Sequence, residues 1–136
     1  MSMRIVCPDD CGDAPRKVQL RDFIIACAQG ALGPHAELLA EGVVWDVVGE
    51  KAIVGRAAVG AYLEAAPGAR PEELRIHTIV THGSTAALNA TLLGPGESRL
   101  ELAEVYHFTG AGSRGRIRAA KSYRIPVESA ASTGGS

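Results

Sequence analysis

Apolar positions along the chain recur first at helical and then at strand spacing, which divides it into an early helical part and a late stranded part. Across residues 14–29, Val18, Leu20, Phe23, Ile24, Cys27 and Ala28 return at steps of three and four. Arg16, Lys17, Gln19, Arg21 and Asp22 keep the other side wet. This spacing predicts a helix over 14–29, with Asp13 as N-cap, Pro15 in the first turn and Gly30 as the stop. Pro34 opens a short second helix over 34–41, docked by Leu38 and Leu39, with Gly42 past its end. A third, over 56–65, follows Gly55. Its Val59, Tyr62, Leu63 and Ala66 face inward, and Pro67-Gly68 ends it.

The run Val43-Val44-Trp45-Asp46-Val47-Val48 reads as a strand, turning at 49–51 into a brief return strand over 52–54. Four longer strands follow at 74–82, 85–93, 99–109 and 116–125. His82-Gly83-Ser84, Gly94-Pro95-Gly96 and Gly110-Ala111-Gly112-Ser113 separate them, so successive hairpins build an antiparallel sheet. Residues 1–13 read as an irregular segment, 14–126 as a single domain, and 127–136, rich in Ser, Ala, Thr and Gly, as a disordered tail. Three early helices and late strands define an α+β fold, with the helices on one face of a curved, mainly antiparallel sheet of five to six strands. Such a sheet curls around a helix into a cone, whose open end is a small-molecule site.

Composition narrows the partners. With 136 residues, 46% hydrophobic and 21% charged, the chain is a soluble domain that can build a core without disulfides or metals. A net charge of −1 gives no reason to expect nucleic acid or an acidic membrane surface. No apolar run approaches the roughly 20 residues that span a bilayer, and the first residues lack a signal peptide's apolar region, so a cytoplasmic location is expected. Cys7, Cys11 and Cys27 lack zinc or thioredoxin-like spacing; free thiols are expected, with no metal and no cofactor. The scarcity of lysine (Lys17, Lys51, Lys121), with abundant Ala and Gly, suggests a GC-rich bacterial genome.

Two acids stand out. Asp46 sits beside the only Trp in an apolar, β-forming run, where an acid must find a partner, stay wet or change its pKa. One reading makes it a strand-end acid bonded to backbone or water, the other a general base at the mouth of a pocket. Glu104 is the second. Strand alternation sets Leu100, Leu102, Glu104, Tyr106 and Phe108 on one face and Glu101, Ala103, Val105 and His107 on the other. Likewise Ala120, Ser122 and Arg124 oppose Ala119, Lys121 and Tyr123, and Ala87, Asn89, Thr91 and Leu93 form one set. An ion pair of Glu104 with Arg124 or Lys121 is the plainer explanation for Glu104. His77 and His82 stay unassigned, since a one-residue change in the 82–84 turn flips their facing.

The segment from Leu39 through Gly55-Arg56 to Leu63, with Glu104-Val105-Tyr106-His107-Phe108 and the strand around Ser122-Tyr123, resembles the nuclear transport factor 2-like superfamily, including its SnoaL-like and ketosteroid isomerase-like members. The resemblance covers residues 14–126 and implies the cone. It places Asp46 where ketosteroid isomerases keep a proton-shuttling Asp, and Glu104 where they keep a protonated acid that donates to the dienolate oxygen. Phe23 falls, with a one-residue gap, where they keep an oxyanion-hole Tyr, and Phe has no hydroxyl. The Asp-Arg-Asp set of limonene epoxide hydrolase-like members is not found. With Asp46 facing a pocket, Trp45 points the other way, into helix packing, unless a bend brings its indole to the rim.

Together these readings favour a domain that binds a small apolar ligand bearing a carbonyl, with cofactor-independent proton transfer of isomerase, cyclase or dehydratase type. Asp46 and Glu104 are the candidate catalytic pair. Phe23, Trp45, Tyr62, Asn89, Tyr106, Ser122 and Arg124 are the candidate pocket residues. The alternatives are a binder without chemistry and a dimerisation or protein-interaction module. The face bearing Ala103, Val105, Ala119 and Tyr123 is apolar enough to suggest a homodimer.

Overall fold

The computed structural model describes residues 3–8, 14–65 and 71–127. Helix α1 (Pro15–Gln29) ends where the spacing predicts, with Gly30 in the left-handed conformation at φ 68°. The expected Asp13 cap, the expected end at Pro67-Gly68 and the expected tail from Glu128 onward lie outside the described residues, whereas Val127, read as the first residue of that tail, ends the last strand. Of the three expected helices, the second is a 3-10 segment, Gly33–Leu38, because strand β2 (Leu39–Val47) already begins at Leu39. Strand β3 (Lys51–Val54) and helix α2 (Arg56–Glu64) follow as expected.

Strands β4 (Glu73–His82), β5 (Thr85–Leu93), β6 (Arg99–Phe108) and β7 (Ile117–Val127) form the meander that the turn signals predict. The sheet holds seven strands among the described residues, against the five to six expected. The unexpected one is β1 (Arg4–Val6), in a segment read as irregular, which pairs in parallel with β4. Sheet order is β1-β4-β5-β6-β7-β2-β3, and β2 also runs parallel to β7. Register shifts in β2/β7, β4/β5 and β6/β7 bend these strands and curve the sheet.

Helix α1 packs on β4 and α2 on β2, so one sheet face is covered. That inner face carries Val43, Trp45 and Val47 of β2, Leu102, Glu104, Tyr106 and Phe108 of β6, and Ala120 and Ser122 of β7, all buried. Phe23 of α1 and Tyr106 flank Trp45, with ring centroids 6.3 and 6.1 Å away. Tilted rings at such separations add about 0.5–1.5 kcal/mol per pair beyond the area they bury. The outer face is open: Val54 is 66% exposed and Ile125 59%.

Two charged or thiol groups depart from expectation. Arg16, placed on the wet side of α1, is buried beneath the β6–β7 loop. Its Nη2 donates to the carbonyls of Gly110 (3.1 Å) and Gly112 (2.5 Å), and its guanidinium lies 3.7 Å from the Phe108 ring centroid. Cys27 is a free thiol, but Cys7 is disulfide-bonded, against the expectation of free thiols.

Candidate functional site

Between the inner face of the sheet and the two α-helices lies a cavity of about 520 Å³. Ile24, Cys27 and Ala28 of α1, Tyr62 and Leu63 of α2, and Leu100 and Leu102 of β6 supply most of the wall. Gly94, Pro95 and Pro126 belong to its rim. Apolar walls with few polar groups are the usual make-up of a small-molecule site. Among the described residues the polar groups here are Glu104, Arg124, Tyr62, Glu50, Arg99, Ser98 and the Cys27 thiol.

Glu104 is the deepest of these, only 3% exposed. Its position follows from strand parity: the inner set of β6 is read in steps of two from Leu102 to Phe108, and Glu104 faces Ser122 across the β6/β7 pair. Tyr106 Oη donates to Glu104 Oε1 at 2.5 Å, and Ser122 Oγ donates to Oε2 at 2.7 Å. Each carboxyl oxygen therefore has one protein partner and keeps capacity for another. Burial pushes the Glu104 carboxyl above the ordinary range and outweighs the opposing pull of Tyr106, Ser122 and Arg124. The same burial, with Glu104 nearby, raises Tyr106 well above a free phenol. Burial first, then Glu104, pushes the Cys27 thiol well up, which makes it a wall residue and not a thiolate nucleophile. Tyr62 is raised by burial, against the attraction of Arg124.

The expected site residues divide sharply. Glu104, Tyr62 and Arg124 line the cavity, while Ser122 and Tyr106 are buried at its floor and hold Glu104. Asp46 is not there. It is paired with Ala52 of β3 and Lys121 of β7 on the outer face, while its neighbour Trp45, fully buried, takes the inner position expected for the acid. Trp45 and Phe23 belong to the aromatic core and not to the cavity wall, and the indole Nε1 of Trp45 has no acceptor among the described residues. Asn89 is exposed on the outer face, in register with Thr78 and Ala103. His77 lies in the β4 bulge. Its Nε2 is 2.7 Å from Thr91 Oγ1, which donates to Glu101, so it joins the same outer face.

The plainer explanation for Glu104, an ion pair with Arg124 or Lys121, does not hold. Lys121 points outward, and neither cation is among the ion pairs of the described residues. Of the residues that line the cavity, only Tyr62, Glu104 and Arg124 were expected, and the others were missed. Among the missed ones, Leu100 and Leu102 were legible from Glu104 by steps of two, whereas Arg99 opens β6 and Glu50 lies in the β2–β3 turn, where alternation carries no signal. Among the described residues no three metal-ligating side chains cluster, and no helix is long and apolar enough to cross a membrane.

A curved sheet wrapped on a helix around an apolar cavity defines an α+β domain of the nuclear transport factor 2-like class. Residues 20–124 match the SnoaL-like domain, and the chain belongs to that family. Among curated proteins none matches it. The fold is similar to that of a nuclear transport factor 2-like protein of unknown function from Burkholderia xenovorans, at 16% identity and TM-score 0.70, covering 92% of this chain and 94% of that one. A protein from Kribbella flavida, provisionally named a ketosteroid isomerase, has 18% identity and TM-score 0.67 over 85% of this chain and 81% of its own. A de novo designed protein with a curved β-sheet has 11% identity and TM-score 0.69, covering 82% and 86%. At these identities the likeness is one of fold.

Proposed function

We propose that the chain binds a small, largely apolar, carbonyl-bearing molecule in the cavity and exchanges a proton with it through Glu104, without a cofactor. The observation that supports this most is a buried carboxyl with raised proton affinity, oriented by Tyr106 and Ser122 and lining an apolar cavity. A carboxyl whose pKa is lifted toward the working pH is suited to take and return a proton, and burial is the cause here. Membership of a family with ketosteroid isomerase-like relatives is consistent with that chemistry. Asp46 has no part in this reading, since its carboxylate lies on the opposite face of the sheet.

The test is α-proton exchange of 2-decanone in D2O, followed by NMR. Acceleration by the wild-type chain, abolished in Glu104→Gln, supports the reading; equal exchange in both proteins contradicts it. The outward facing of Asp46 favours a second reading, binding without turnover, because a single deep carboxyl must otherwise serve as both acid and base. That reading is supported by a rise in melting temperature with 2-decanone and no exchange.

We also propose a homodimer through the outer sheet face. Ala103, Val105, Ala119 and Tyr123 all lie on it, and Val44, Val54 and Val80 extend it as exposed apolar positions. Sedimentation at micromolar concentration should give a dimer that Tyr123→Asp dissociates; a wild-type monomer ends this proposal.

A further inference from the structure

Arg124 is the cavity group that the proton-exchange chemistry leaves without a task. It stands on the inner face of β7, opposite Leu102 of β6 and two residues beyond Ser122, and it lines the cavity. Among the described residues the other guanidinium at the cavity is Arg99, which is held by Glu101 at 3.0 Å on the strand. Arg124 is in none of the ion pairs or side-chain hydrogen bonds found among the described residues, and both oxygens of Glu104 are engaged by Tyr106 and Ser122. A guanidinium presents rigid paired donors that match a carboxylate, and a half-buried one among apolar walls is poorly served by water.

We infer that Arg124 anchors an anionic head group, so that the cavity takes an apolar monocarboxylate carrying a second, carbonyl oxygen that Glu104 meets deeper inside. This rests on the pocket reading above and names its substrate class. Two residues along a strand span about 6.5 Å, so the Arg124 backbone lies roughly that far up the cavity from the Ser122–Glu104 row. The two ligand oxygens are therefore separated by several carbons. Ile24, Leu63, Leu100 and Leu102 cover the hydrocarbon part. Burial raises the proton affinity of Glu104, which lessens its repulsion of the ligand's charge. Glu50 is the remaining acid of the cavity and sits exposed on the β2–β3 turn at the mouth.

The probes are 5-oxodecanoate and its neutral methyl ester, titrated calorimetrically at pH 7.5 into wild type, Arg124→Gln and the exposed surface control Arg118→Gln. Circular dichroism checks that each variant is folded. The expected result is at least a tenfold preference of wild type and Arg118→Gln for the acid. In Arg124→Gln the acid weakens at least tenfold and the ester changes less than threefold. Equal binding of acid and ester to wild type, or equal losses of both in Arg124→Gln, overturns the anchor and leaves the pocket reading standing. Binding of neither probe at millimolar concentration overturns both.

Discussion

The two faces of one sheet, built from alternate residues of the same strands, have opposite chemistry. On the inner face Glu104 is sealed in, with two hydroxyl donors and a raised proton affinity. On the outer face Asp46 sits half-exposed across from Lys121, and no ion pair joins them. Both acids lie within apolar stretches of strand, so local composition does not distinguish them. Parity relative to the helices does: a carboxyl two positions from Tyr106 is desolvated, and one next to Trp45 is not.

The largest expected effect that tests this contrast is on the core side. Trp45→Ala removes the ring between Phe23 and Tyr106, and urea unfolding should register a loss of about 3–5 kcal/mol. A loss under about 1 kcal/mol is incompatible with Trp45 facing inward. Next comes Tyr106→Phe, which removes one of the two donors to Glu104 with little change in volume. A loss of about 1–2 kcal/mol is expected, within the range for a buried bond to a polar partner.

A pH series sharpens the comparison further. Because the folded-state pKa of Glu104 is raised, the native state holds its proton more tightly than the unfolded chain does. Its contribution to stability is complete below the ordinary glutamate value of about 4.3 and is lost as pH rises through the folded pKa. Wild type minus Glu104→Gln should therefore show stability falling over that window in urea titrations at successive pH values. A flat or rising difference contradicts burial as the dominant cause. The smallest effect is on the outer face: Asp46→Asn should change stability by no more than about 0.5 kcal/mol, as for other surface substitutions, and should leave 2-decanone binding as it is.

Much of this molecule was legible from pattern. The bounds of α1 and of β3 to β7 follow from periodicity and Gly/Pro punctuation to within two residues, and the facing of β6 and β7 follows from alternation. The facing of β2 does not, because Val43, Val44, Val47 and Val48 make both of its sets apolar. A signal was present even so: Val43, Trp45 and Val47 form a wholly apolar set, and Asp46 belongs to the other. The positional match to the isomerases pointed the opposite way, and pairing of β2 with both β7 and β3 decided the matter. Strand β1 escaped notice because three residues give no period, and its pairing with β4 is a long-range contact. Arg16 was misplaced because its burial depends on a loop nearly a hundred residues later in the chain.

The most direct measurement is carboxyl 13C NMR of the glutamate- and aspartate-labelled chain while 2-decanone is added. Glu104 is expected to titrate above the ordinary glutamate range and to shift on ligand addition, with the Asp46 resonance unmoved. A ligand-induced shift at Asp46 with none at Glu104 would reverse the assignment of the two faces and remove the proposed site.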